Sequence, residues 1–170
     1  MGRFGEALGE GVEAFRDSER ALAEIREVLE DVSKDVNETT KGAVQVFRAK
    51  KLKLGFSFSA TLELSLRGKL PPLEPFDALV AKAVLPPGIT AGNSELRLAD
   101  YDVSASGYPL SLTYSDTTEH AHDKESLVRV LIHMLKHPDT GRKIAMLEAV
   151  HRENKDKRPE SKDSDGPRVP

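Results

Sequence analysis

Along the first 40 residues the apolar positions fall at three- and four-residue steps. Phe4, Leu8, Val12, Phe15, Leu22, Ile25, Leu29, Val32 and Val36 form one stripe on a helix. The repeat lies nearer to ~3.5 than to ~3.6 residues, so the stripe drifts slowly around the axis. Glu19 interrupts it and the register shifts after Phe15, so the spacing does not predict an unbroken coiled coil. Gly5, Gly9 and Gly11 each weaken a helix by about 1 kcal/mol relative to alanine, which predicts fraying before Val12.

After the polar break Asn37-Glu38-Thr39-Thr40 the pattern changes to strict alternation. Leu52, Leu54, Phe56, Phe58, Ala60, Leu62, Leu64 and Leu66 occupy even positions, with Lys53, Ser57, Thr61, Glu63 and Arg67 among the odd ones. This predicts a strand buried on one face, bent at Gly55 and ended by Leu70-Pro71-Pro72. Pro75 then opens a short helix over Phe76 to Val84. A hairpin follows around Ser106-Gly107. Its register sets Ala105 opposite Tyr108, Val103 opposite Leu110, Tyr101 opposite Leu112 and Ala99 opposite Tyr114, leaving Asp100, Asp102, Ser111 and Thr113 on the other face. Leu96 and Leu98 fall on that polar side, which requires a bulge before Ala99 or cover on both faces.

A helix capped by Asp123 carries a wide apolar arc of Leu127, Val128, Val130, Leu131, Ile132, Met134 and Leu135 and ends at Pro138. Asp139-Thr140-Gly141 starts another, with Ile144, Leu147 and Val150 on one side. Beyond Asn154 only Val169 is aliphatic, so the tail is expected to be disordered. The expected fold class is α+β: a long N-terminal amphipathic helix (1–40), an α+β domain with an antiparallel sheet of three or more strands and two C-terminal helices (41–153), and a disordered tail (154–170).

At 170 residues and 38% apolar, the chain can build one sizeable core. Its net charge of -3 conceals strong blocks: residues 1–40 hold 5 basic and 11 acidic side chains, and residues 41–70 hold 7 basic against Glu63 alone. These blocks can neutralise each other within one fold or meet between copies. Like-charged pairs such as Glu6 with Glu10 and Glu27 with Asp31 point to a basic partner surface. The basic run Arg48 to Lys53 is flanked by Phe47 and Phe56, but alternation buries Phe56, so nucleic-acid binding is not expected. No continuous apolar run occurs in the first 30 residues, which predicts a cytoplasmic chain with no membrane partner.

Candidate chemistry is sparse. Cysteine is absent, removing disulfides and thiolate nucleophiles. No nucleophile elbow, phosphate loop or dinucleotide fingerprint occurs, and no cofactor is expected. Four of five histidines cluster as His120, His122, His133 and His137, with Asp116, Glu119 and Asp123 nearby as oxygen donors. Against a metal site, His133 shares a helix face with Arg129 and Lys136, and His137 suits a helix end without any ion. Asp100 and Asp102 share a strand face, a pattern more often solvated than catalytic.

The sequence thus favours a non-enzymatic protein-interaction or assembly component over an enzyme. Its contacts would be the N-terminal helix, through Phe15, Leu22, Ile25, Leu29 and Val32, and a one-faced sheet, with self-association or a protein partner burying that stripe. The alternative is a metal-dependent hydrolase using the His120 to His137 cluster.

Overall fold

The structure is a computed structural model and describes residues 2–54 and 73–157. Helix α1 spans Arg3–Thr39. Among the described residues five strands follow: β1 (Val44–Leu54), β2 (Leu73–Ala83), β3 (Glu95–Ser104), β4 (Gly107–Tyr114) and β5 (Thr117–Ala121). Helices α2 (Lys124–Lys136) and α3 (Pro138–Asn154) close the order. The strands form one antiparallel sheet in sequential order β1-β2-β3-β4-β5. The α+β class, the long first helix and the two C-terminal helices are as the pattern predicts. The alternation beyond Leu54, the Leu70-Pro71-Pro72 stop and the tail from residue 158 lie outside the described residues.

One core runs between the helices and one face of the sheet. Ile25, Val28, Leu29 and Val36 of α1 meet Val44 and Val46 of β1, Leu79 and Ala81 of β2, and Leu110 and Leu112 of β4. Leu127, Val130, Leu131 and Met134 of α2 and Leu147 of α3 complete it. The apolar arc of α2 is narrower than predicted: Val128 and Ile132 are exposed, because the helix lays only its i, i+3, i+4, i+7 side on the sheet.

Three expectations are corrected by the fold. The segment Phe76 to Val84 is not a helix; Phe76–Ala83 belongs to β2, paired between β1 and β3. Ala78 and Val80 are buried on one face and Leu79, Ala81 and Ala83 on the other, so the run is apolar on both sides and carries no alternation to identify it. The predicted fraying before Val12 is also absent: α1 is continuous from Arg3, extending a helix already nucleated by its packed half. At the hairpin tip, Ser104 pairs with Gly107 rather than Ala105 with Tyr108. The turn is Ala105-Ser106, with Gly107 in the left-handed region (φ +92°) opening β4.

The rest of the hairpin register is as predicted, from Val103 opposite Leu110 to Asp100 opposite Thr113. The bulge is present as well. Leu79 pairs with Ala99 but Val80 pairs with Arg97, so Leu98 is the extra residue of β3, and Leu98 and Ala99 are both buried.

Candidate interaction surface

Helix α1 has two halves with different surroundings. From Ser18 onward it is fixed to the body by packing and side-chain hydrogen bonds. Ser18 Oγ donates to the Ala105 carbonyl (2.7 Å) at the hairpin tip. Ser33 Oγ donates to the Val46 carbonyl and Asn37 Nδ2 to the Val44 carbonyl (3.2 Å), so the helix covers part of the outer edge of β1. Thr40, buried at the helix end, accepts from the Val44 N–H (3.1 Å) and donates to the Val36 carbonyl (2.8 Å). Lys124 of α2 pairs with Glu27 (2.7 Å), and that hydrogen bond raises the lysine above its ordinary pKa.

Residues 2–17 are all exposed. The segment Arg3–Asp17 is therefore a free helical arm about 22 Å long at ~1.5 Å per residue. Along it Phe4 is 93% exposed, Leu8 70%, Phe15 65% and Val12 42%. These four side chains stay within an arc of about 80° at roughly 100° per residue. Glu6, Glu10, Glu13 and Asp17 occupy the opposite face.

Of the five residues the sequence assigns to a contact, the structure separates two groups. Ile25 and Leu29 are buried in the chain's own core, Val32 packs partly against it and Leu22 is half-buried. Phe15 alone is fully outside, and it is joined there by Phe4, Leu8 and Val12. The glycines around those three residues argued for fraying and so hid them as contact candidates.

Among the described residues no ion pair joins residues 2–40 to β1; Arg67 and Lys69 of the basic block lie outside them. Instead Lys51 pairs with Glu95 of β3, and Asp17 with Arg20 (3.1 Å) on its own helix.

The four clustered histidines point to separate tasks. His120 Nδ1 lies 2.9 Å from Ser111 Oγ on the sheet face away from the helices. His122 is exposed just past β5, its backbone N–H donating to Ser126 Oγ (2.9 Å). His133 Nδ1 lies 3.1 Å from Glu119 Oε2, and the Tyr114 hydroxyl donates to Glu119 Oε1. The Tyr114 bond first, and His133 behind it, hold the Glu119 carboxyl below its usual range. Burial, with the Glu119 carboxylate second, pushes Tyr114 up to about 12. His137 caps α3, accepting from the Asp139 N–H (3.2 Å), with its ring edge-on to Tyr114 at 5.7 Å. Among the described residues no three histidine or carboxylate groups stand where they could share a metal ion. Asp116 is exposed in the β4–β5 turn.

Asp100 and Asp102 face a shallow hollow of about 200 Å³ with Phe76, Ser111 and Thr113. Arg97 pairs with Asp100 (3.2 Å) and stands 5.8 Å from the Phe76 ring.

No family model, curated protein or solved structure matches this chain.

Among the described residues no helix is long and apolar enough to cross a membrane. Among the described residues the exposed large apolar side chains are Phe4, Leu8, Val12 and Phe15 on the arm and, scattered over the body, Val84, Val128, Ile132 and Met146.

Proposed function

We propose that the protein is a non-enzymatic interaction or assembly component whose contact element is the free arm of α1. One observation carries this reading: Phe4, Leu8, Val12 and Phe15 lie exposed on one side of a helix that the described part of the body does not cover. Contiguous apolar surface of this kind on a folded chain marks a protein contact, because leaving it in water forfeits about 25 cal/mol per Å². The body then acts as a rigid mount, fixing the arm through Ser18, Ile25 and Leu29. A cytoplasmic location forms part of the proposal and is tested by fractionation.

The experiment compares the full chain with a Leu8→Asp/Phe15→Asp double variant. Self-association is read by sedimentation velocity. Partners are identified by mass spectrometry and rebound as purified proteins. Association that the wild type shows and the variant loses, with the circular dichroism of the sheet unchanged, supports the reading. Equal association by both chains overturns it.

A further inference from the structure

We propose that the arm of α1 pairs antiparallel with the arm of a second copy of this chain, Phe4 against Phe15 and Leu8 against Gly11. The inference rests on the interaction reading above and names its partner.

The stripe is more regular than its large residues suggest. Phe4, Leu8, Gly11 and Phe15 follow one another at steps of four, three and four. The same alternation continues through Ser18, Leu22, Ile25, Leu29, Val32 and Val36. This is the spacing of a coiled-coil seam, and its second half is filled by the chain's own sheet. Among the described residues nothing covers its first half. At Gly11 the position of an absent Cβ has nothing within 4 Å.

In an antiparallel pair, residues at one level have numbers of constant sum. A sum of nineteen sets the two phenylalanines against each other and puts each Leu8 over the space left by Gly11 of the other arm. Each copy then presents the same four positions to its partner, as a two-fold axis requires. A parallel pair in register would stack Gly11 on Gly11 and leave a gap at that level.

The charges agree with this pairing. The positions flanking the seam are Gly5, Ala7, Val12 and Ala14, all uncharged. Glu6, Glu10, Glu13 and Asp17 lie on the outward side, where two acidic arms are not forced together. Small flanking residues also let the helices approach closely. The overlap covers residues 3–16, and the body begins at Ser18, so the two bodies stay clear of each other. Burial over both arms is on the order of 1,000 Å², the low end for a specific interface, so the dimer should dissociate on dilution.

Sedimentation velocity of the full chain over a dilution series tests the pair. A dimer at high concentration is expected, with Leu8→Asp raising its dissociation constant at least ~10-fold and the outward Glu13→Lys leaving it within about twofold. Register is read with Ala7→Cys and Ala14→Cys, which fall on the same side of the antiparallel seam; the chain has no other cysteine. Their oxidised mixture is expected to cross-link several-fold faster than either alone, with peptide mapping joining positions 7 and 14. A wild type that stays monomeric throughout, or Ala7→Cys alone cross-linking faster than the mixture, overturns the proposal. If the chain is monomeric yet a purified heterologous partner binds it and is lost with Leu8→Asp, the self-pairing fails while the interaction reading stands. If no such partner is lost, both fail.

Discussion

Gly107 lies against Ala21: a Cβ built on Gly107 would come within 2.5 Å of the Ala21 Cβ. This close approach, beside the Ser18 hydrogen bond to Ala105, is where the hairpin tip of the sheet holds α1 before the arm leaves the body. Gly107 also sits at φ +92°, so a side chain there is strained twice. Gly107→Ala is expected to destabilise the fold by about 1–3 kcal/mol in urea unfolding. A variant as stable as wild type would show that the helix does not depend on this contact.

Leu98 is the bulged residue of β3 and is 2% exposed, whereas Leu96 packs only partly against the core. Truncating a buried leucine removes its transfer energy and leaves a cavity, so Leu98→Ala is expected to cost about 2–5 kcal/mol. Leu96→Ala should cost clearly less. Equal losses in the two variants would contradict the bulge.

The bulge shows how far the pattern reaches. Its existence was legible because Leu96 and Leu98 fell on the polar side of a register that otherwise separated polar from apolar residues. β2 was not legible, because Ala78 to Ala81 is buried on both faces and a short apolar run does not distinguish a strand from a helix. β5 was missed for the opposite reason: Thr117 and Thr118 are exposed and only Ala121 is fully buried, so an edge strand left almost no apolar signal. On α1 the spacing marks the stripe, but which half the body covers depends on the contacts of Ser18 and Ala21 with the hairpin tip. Those contacts join residues far apart in the chain, and no local pattern encodes them.

The chain has three tyrosines, and all three are pushed above their ordinary value of 10. Burial is the main cause at each. The second cause is Asp77 at Tyr101, Glu24 at Tyr108 and the Glu119 bond at Tyr114, which reaches about 12. A raised folded-state value means that the stabilisation is complete below pH 10 and is lost as pH rises toward 12. Tyrosinate absorbance is therefore expected to lag that of free tyrosine above pH 10, and melting temperature to fall over the same range. Tyr114→Phe should flatten that alkaline decline. Titration of all three at the value of free tyrosine would contradict the burial described.

On the acid side the signs reverse. Glu119 is held down by the Tyr114 hydroxyl and His133, and Asp139 by Lys143 and then Arg142 to about 2 from an ordinary 3.8. Depressed carboxyls stabilise the fold above their ordinary range, and this contribution is lost as pH falls through the folded-state values. For Asp139 that window is pH 3.8 down to about 2. Asp139→Asn is expected to lose the part of the acid-induced fall in melting temperature that lies in this window. A variant with the full wild-type fall would contradict the role given to the Lys143 and Arg142 pairs.

The most direct measurement of the arm's role is hydrogen–deuterium exchange of the full chain at dilute and concentrated protein, followed peptide by peptide. Amides of residues 4–15 are expected to gain protection as concentration rises, because covering the apolar side of the arm adds packing that local opening must break. Peptides of β2 and β4 should not change. Identical exchange of the arm at both concentrations, with the chain monomeric in each, would contradict the account.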